Sequence, residues 1–218
     1  MRLIFATNNI HKMSEIKDIL GEKYKNIVFL MGDLDVHINP IENGKTFGEN
    51  AMIKARALYE ELKNKNKILP NDYIVADDTG LCVDYLDGAP GIYSARFMGK
   101  NTGQEEKNIK ILDLMKDVPD EKRTAHFTTN LAIICIDKDK NPTNMSFEAG
   151  INGYIAKKIE KTGGFGYDPI FAVGDTSDIE KGQVKTYSNI GMAEKNKISH
   201  RARALNLFVQ YLEKNHNI

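Results

Sequence analysis

Apolar positions along this chain follow two rhythms. Short, dense apolar runs predict buried strands at residues 2–6, 27–31, 73–76, 125–136, 143–153 and 169–173. Residues 81–85 read as further extended chain after a polar interruption at Asp77-Asp78-Thr79-Gly80. The 3.6-residue rhythm appears in four other stretches. Met13, Ile16 and Leu20 line one face of a helix over 12–20, and Phe47, Ala51, Ala55, Leu58 and Leu62 line a helix over 46–62. Ile109, Leu112 and Met115 predict the inward face of a helix ending at Lys116. Ala202, Leu205, Phe208, Val209 and Leu212 do the same for a closing helix over 199–215. Thr46 with Glu49 and Thr102 with Glu105 each fit a capping box, in which side chains satisfy free backbone N–H groups. Residues 32–44 and 174–191 lack either rhythm and read as loops.

Helices and strands alternate early, and the pair over 125–136 and 143–153 is joined by a short polar turn, as antiparallel neighbours are. The pattern predicts an α/β protein with a mixed sheet flanked by helices. At 218 residues the chain suits one large domain, or two lobes sharing a core.

Composition narrows the function classes. Lysine and arginine total 30, as do aspartate and glutamate. Duplex nucleic acid and anionic membranes bind through a basic surface that releases counterions, so neither is expected as a partner. Cys82 and Cys135 sit in apolar runs, which suits buried free thiols in a reducing compartment. The apolar stretch at residues 3–6 is too short for a signal peptide, and the cytoplasm is the expected location.

Four constellations offer chemistry. Thr7-Asn8-Asn9-Ile10-His11-Lys12 leads from a strand into a helix, where free N–H groups, polar side chains and the Lys12 charge suit phosphate. Plain helix capping by Asn8 or Asn9 explains the same string. Asp77 and Asp78 end an apolar strand and point to opposite sides. One can cap the next turn while the other holds Mg²⁺ or takes a proton from water. Ser199-His200-Arg201 opens the last helix, where positive charge opposes the helix dipole and calls for a compensating anion or ligand. Lys195 lies nearby in sequence. The segment from Thr162 to Phe171 combines glycines with Phe165, Tyr167 and Asp168. Phe165 can stack on a flat ring, and Asp168 can accept hydrogen bonds from a ring edge or sugar. The competing explanation is a connecting loop with Phe165 and Tyr167 in the core.

Taken together, these strings resemble the inosine/xanthosine triphosphate pyrophosphatase family, also called Ham1 or RdgB-like. Ala6–Lys12, Thr46–Ala51, Ala76–Leu81, Gly88–Arg96, Gly163–Phe171 and Ile198–Ala202 stand in the family's order. The resemblance implies an elongated fold of two lobes around a central cleft, a homodimer, and Mg²⁺-dependent hydrolysis of noncanonical purine nucleoside triphosphates. ITP, dITP and XTP would yield the monophosphate and pyrophosphate. It implies that Thr7, Asn8, Asn9, Ile10, His11 and Lys12 bind the triphosphate, and that Asp78 is the catalytic carboxylate and a metal ligand. Thr79 would touch substrate. Phe165, Gly166, Tyr167 and Asp168 would hold base and sugar, and Lys195 phosphate or base. His200 and Arg201 would read the purine's oxygen edge.

One departure concerns the metal. Many members carry a glutamate where this chain has Ile41, with Glu42 beside it. Either Glu42 substitutes through a shifted loop, or the metal relies on Asp78, phosphates and water. Glu49 is a third candidate, with a competing capping role.

Overall fold

The computed structural model describes residues 1–99, 101–160 and 164–216. Six strands form one mixed sheet in the order β2-β1-β3-β4-β5-β6: β1 (Arg2–Phe5), β2 (Val28–Leu30), β3 (Asp72–Val83), β4 (Thr124–Ile136), β5 (Pro142–Ile155) and β6 (Phe171–Val173). β1 runs parallel to both β2 and β3, with Arg2 opposite Asp72 and Phe5 opposite Val75. β5 and β6 are antiparallel. The helices are α1 (Ile10–Leu20), α2 (Phe47–Asn64), α3 (Gln104–Leu114), α4 (Ser177–Glu180), α5 (Tyr187–Ile190), α6 (Met192–Ile198) and α7 (His200–His216).

The chain divides into two compact units, and the boundary falls within β3, β4 and β5. The first unit comprises Met1–Asp78, Thr129–Ala149 and Arg201–Ile218. β1 and the part of β3 in this unit are apolar on both faces up to Ala76 because each face packs on helices. Leu3, Phe5, Tyr73 and Val75 join Met13, Ile16, Leu205 and Phe208 on the side of α1 and α7. The alternate positions Ile4, Ile74 and Ala76 join Ala51, Ala55 and Leu58 on the side of α2. Side chains alternate across a strand, so the core is two apolar layers separated by the sheet.

The second unit comprises Thr79–Thr128 and Gly150–His200. Its core gathers Leu81, Val83, Ile111, Met115, Phe127 and Phe171. Arg123 is fully buried there, and its guanidinium bonds to backbone carbonyls: Nε and Nη2 donate to those of Ile155 and Ala156, both at 2.8 Å, and Nη1 donates to that of Met115. Burial lowers its pKa, against the opposing pull of Asp120.

Five expectations change. The Asp77-Asp78-Thr79-Gly80 string does not end a strand: β3 continues through it for 12 residues, so neither carboxylate caps a turn. Thr102 does not cap α3. Its hydroxyl donates to the Met98 carbonyl, and Gly103 takes the cap position with no side-chain bond. The buried face of α3 runs through Lys107, Asn108 and Ile111, while Ile109 is 45% exposed. The 174–191 loop contains α4 and α5. The Thr46 cap stands, with Thr46 Oγ1 accepting from Glu49 N at 3.1 Å, but Glu49 reaches back to the N–H of Lys45 rather than of Thr46.

Removing Arg123's donors strips three buried carbonyls of a charged partner, at ~1–3 kcal/mol for each group left unsatisfied. Arg123→Met is therefore expected to destabilise the protein by roughly 3 kcal/mol or more in denaturant titrations. The same change at exposed Arg56 is expected to stay within about 0.5 kcal/mol.

Candidate functional site

Asp77 and Asp78 are consecutive in β3, so the pleat sends them to opposite faces. Asp77 shares the face of Tyr73 and Val75, toward α1 and α7. There Lys12 Nζ donates to its Oδ2 at 2.8 Å and Arg201 Nη2 to the same oxygen at 3.3 Å. Arg201 Nη1 also donates to Glu15, forming a buried ion pair from α7 to α1. Burial would raise the Asp77 pKa, but Lys12, Arg201 and Lys54 outweigh it and hold the carboxyl well below the usual range. The Lys12 pKa is lowered by burial and by the neighbouring Arg201 and Lys54 charges, against the pull of Asp77. That of Arg201 is raised: burial opposes its charge, and Asp77 and Glu15 more than compensate.

Asp78 shares the face of Ile74 and Ala76, toward α2. Lys54 Nζ donates to Asp78 Oδ1 at 3.0 Å and to Glu42 Oε2 at 3.3 Å. Asp78 Oδ2 is buried with no hydrogen-bond partner among the described residues, although the whole residue is only 8% exposed. Burial raises the Asp78 pKa more than Lys54 lowers it. Burial works against the Lys54 charge, but Asp78, Asp77 and Glu42 together raise its pKa and keep the ammonium.

Glu42 reaches this cluster because its loop is hooked to α2. Gly44 N donates to Asn50 Oδ1 at 2.9 Å, and Asn50 is fully buried one helical turn before Lys54. A Cβ at Gly44 would lie 2.8 Å from that oxygen and 2.7 Å from Glu49 Cβ, so only glycine permits the approach. Ile41 is left 83% exposed. Of the alternatives open in the sequence, Glu42 is the carboxylate that shares a cation with Asp78, whereas Glu49 is engaged with Lys45 N–H.

The expected triphosphate stretch is the N-terminus of α1. Asn9 caps it, its Oδ1 accepting from His11 N at 3.0 Å and Lys12 N at 3.2 Å, while Asn9 N donates to Thr7 Oγ1 at 3.1 Å. Those two amides are thus already satisfied, and the full positive charge here is that of Lys12. Asn8, Ile10 and His11 are exposed.

The second unit holds the glycine segment, of which Thr162 and Gly163 lie outside the described residues. Asp168 organises the remainder of the segment. Its Oδ2 accepts from Phe165 N at 2.8 Å and from Lys195 Nζ at 2.7 Å, and its carbonyl accepts from Ser188 N. Gly164 has φ +84°, and a Cβ there would lie 2.9 Å from both Asp168 Cβ and Ser188 Oγ. This leaves Phe165 half-buried. Gly166 accepts from Asn108 Nδ2 through its carbonyl at 3.2 Å. The Tyr167 side chain belongs to the core instead of facing a ligand, with its hydroxyl donating to the Ser94 carbonyl at 2.9 Å. The His200 ring stacks on Phe127, centroids 4.5 Å apart at 11°, and Lys195 Nζ lies 5.3 Å from the Tyr187 ring centre. Thr79 is half-buried in β3.

The structure therefore joins Lys12 and Arg201 around Asp77 on one face of β3, Asp78 and Glu42 around Lys54 on the other, and Phe165, Asp168, Lys195 and His200 into two neighbouring arrangements of the second unit. Arg201, expected at a purine edge, has Nη1 and Nη2 engaged by Glu15 and Asp77. Sequence reasoning missed Lys54, Glu15 and Asn50. The available signal was position: Lys12 and Glu15 are spaced i, i+3, and Asn50 and Lys54 i, i+4, beside the apolar stripes of their helices.

Among the described residues no group of three or more His, Cys, Asp or Glu gathers as a metal cluster. Mg²⁺ needs fewer protein ligands, since it binds through one or two carboxylates and takes phosphates and water for the rest. Asp78, with its unpartnered oxygen, and Glu42 fit that requirement. No helix of the described residues is long and apolar enough to cross a membrane.

Comparison with known proteins bears out the family resemblance. A protein of Caldanaerobacter subterraneus subsp. tengcongensis named dITP/XTP pyrophosphatase is 41% identical over 214 residues, covering 98% of this chain and 97% of its own. One of Clostridium perfringens with the same name is 40% identical, covering 94% and 93%. The solved structure of the Staphylococcus aureus Ham1 protein superposes with a TM-score of 0.77 at 32% identity, covering 98% of this chain and 99% of that one. The Ham1 family model matches residues 3–211, and this chain belongs to the Ham1 family.

Proposed function

We propose that this chain hydrolyses noncanonical purine nucleoside triphosphates, ITP, dITP and XTP, to the nucleoside monophosphate and pyrophosphate. The observation that carries this reading is the buried, unpartnered Oδ2 of Asp78 beside an ion-paired Oδ1. A carboxylate anchored through one oxygen is oriented, and its other oxygen can accept a proton from water. Water oxygen attacks phosphorus, the phosphoanhydride bond between the α- and β-phosphates breaks to give monophosphate and pyrophosphate, and the water proton passes to Asp78 Oδ2.

Asp78 and Glu42 would hold Mg²⁺, which when bound neutralises phosphate charge and polarises the reacting phosphoryl group. Lys12 and Lys54 supply fixed positive charge for the phosphates. Base recognition falls to the second unit: Phe165 offers a ring for stacking, Asp168 holds the loop, and Lys195 and His200 offer donors to the 6-oxo group of hypoxanthine or xanthine. Adenine presents a 6-amino donor there, and a site built of donors leaves it unpaired. The Arg201 guanidinium serves first to hold Asp77 and Glu15, with Nε remaining for substrate. The buried free thiols Cys82 and Cys135 support a reducing, cytoplasmic setting, and family resemblance supports a homodimer.

A panel of nucleoside triphosphates assayed for released pyrophosphate tests the activity. ITP, dITP and XTP are expected to exceed ATP on the order of 10⁴-fold in kcat/KM, and chelation of Mg²⁺ is expected to abolish release. Equal turnover of ATP and ITP, or a preference for pyrimidines, overturns the substrate assignment.

The two aspartates separate by readout. Asp78→Asn is expected to lower kcat by ~10²–10⁴-fold while the protein still folds and binds ITP. Asp77→Asn leaves Lys12 and Arg201 without their shared counter-charge and is expected to cost about 3–5 kcal/mol of stability. Near-normal turnover in Asp78→Asn, measured alongside thermal unfolding of both variants, sinks the division of roles. The ionised Asp77 contributes stability present above the ordinary carboxylate pKa and lost only as pH falls through its depressed folded value.

A further inference from the structure

The proposed function uses Lys54 as a charge for phosphate and leaves unexplained its ion pairs with both Asp78 and Glu42. Its ammonium touches Asp78 Oδ1 and Glu42 Oε2 together, at 3.0 and 3.3 Å. These are the same two carboxylates that fit a divalent cation. Asp77 has Lys12 and Arg201, and Glu15 has Arg201, so those acids are matched without Lys54. Asp78 and Glu42 have Lys54 as their shared cation. The side chain is largely sheltered, 13% exposed, and the Asn50 hook on Gly44 holds the Glu42 loop beside it.

We propose that Lys54 is a stand-in for the divalent cation: it keeps Asp78 and Glu42 together in the nucleotide-free protein and competes with Mg²⁺ until a polyphosphate draws the ammonium away. This inference rests on Asp78 and Glu42 being the metal ligands. Two neighbouring carboxylates repel one another, and an ammonium between them removes that repulsion. The same ammonium repels an incoming dication. A lysine head on a flexible four-carbon stem can turn from carboxylate to phosphate oxygens without moving its helix. Once phosphate oxygens take the ammonium, Asp78 Oδ1 and Glu42 Oε2 are released as oxygen ligands for the cation, and Asp78 Oδ2 stays open to the water proton. Metal and polyphosphate then favour each other's binding, and the coupling is reciprocal. Lys54 is in this sense a positioning residue, acting through the carboxylates it holds.

The test is calorimetric titration of Mg²⁺ into nucleotide-free protein, with no turnover involved. Lys54→Met is expected to bind Mg²⁺ at least about tenfold more tightly than the unaltered protein. Adding Asp78→Asn to Lys54→Met is expected to remove the gain. Thermal unfolding confirms that each variant folds, and Lys54→Gln, which keeps the length and removes the charge, replaces Lys54→Met if the latter does not. Unchanged or weaker Mg²⁺ affinity on removing the Lys54 charge overturns the proposal, as does a gain that survives Asp78→Asn. Pyrophosphate release from ITP by the unaltered protein is measured separately. Turnover with a flat Lys54 result removes the stand-in and keeps the activity, and a Lys54-dependent metal site without turnover does the reverse.

Discussion

The passage of two adjacent carboxylates through the middle of a buried strand is the constraint on which the first unit's chemistry depends. β3 is covered on both faces, so its pleat delivers Asp77 to one helical layer and Asp78 to the other. A buried carboxylate without a partner is costly, and each layer supplies cations. α1 and α7 supply Lys12 and Arg201, and α2 supplies Lys54. A slip of one residue in register would exchange the two environments and send Ile74 and Val75 to the wrong layers as well. Pairing of Arg2 with Asp72 and of Phe5 with Val75 fixes that register, and the Arg2–Asp72 ion pair closes the strand's start.

Identical side chains one residue apart therefore acquire different chemistry. Asp77 has one oxygen shared by two cations and is held firmly ionised, which suits it to stabilising the packing of α1 and α7 against the strand. Asp78 has one cation, one unpartnered oxygen and a pKa raised by burial. Burial without full compensation is the condition under which a carboxylate becomes useful as a proton acceptor or metal ligand. Neither property resides in the residue type; both come from the number of cations that each face provides.

The sheet and its helices were largely legible because apolar periodicity is set by burial, and burial is what the layers require. Residues 2–6, 46–62 and 199–215 were read within a few positions of β1, α2 and α7. The continuity of β3 was not legible, because Asp-Asp-Thr-Gly looks like a turn unless the cations that neutralise it are known. Ile109 misled for a related reason: Lys107 and Asn108 take the buried face of α3, with Lys107 Nζ donating to the Ala95 carbonyl at 2.7 Å. The motif strings marked Asp78 and Asp168, whereas Lys54 and Glu15 look like ordinary surface charges on amphipathic helices. Only a partner distant in sequence distinguishes a buried charge from a solvated one.

The same logic extends to the second unit, where one carboxylate again decides the arrangement. Asp168 accepts from both a backbone amide and a buried ammonium through a single oxygen, and Gly164 leaves just enough room beside it. With its backbone amide held by Asp168, Phe165 would, on the proposed reading, offer its ring to a flat ligand with little further ordering entropy to lose. Rigidity also bears on selectivity. A donor held by a buried ion pair cannot easily turn to accommodate another donor, so hydrogen-bond polarity at the ligand's edge becomes a strict criterion. On this reading Gly164 matters less as a flexible point than as a place where a side chain would crowd Asp168 beside Lys195. Selectivity for the base would then rest on the packing beneath the loop as much as on the groups that touch the ligand.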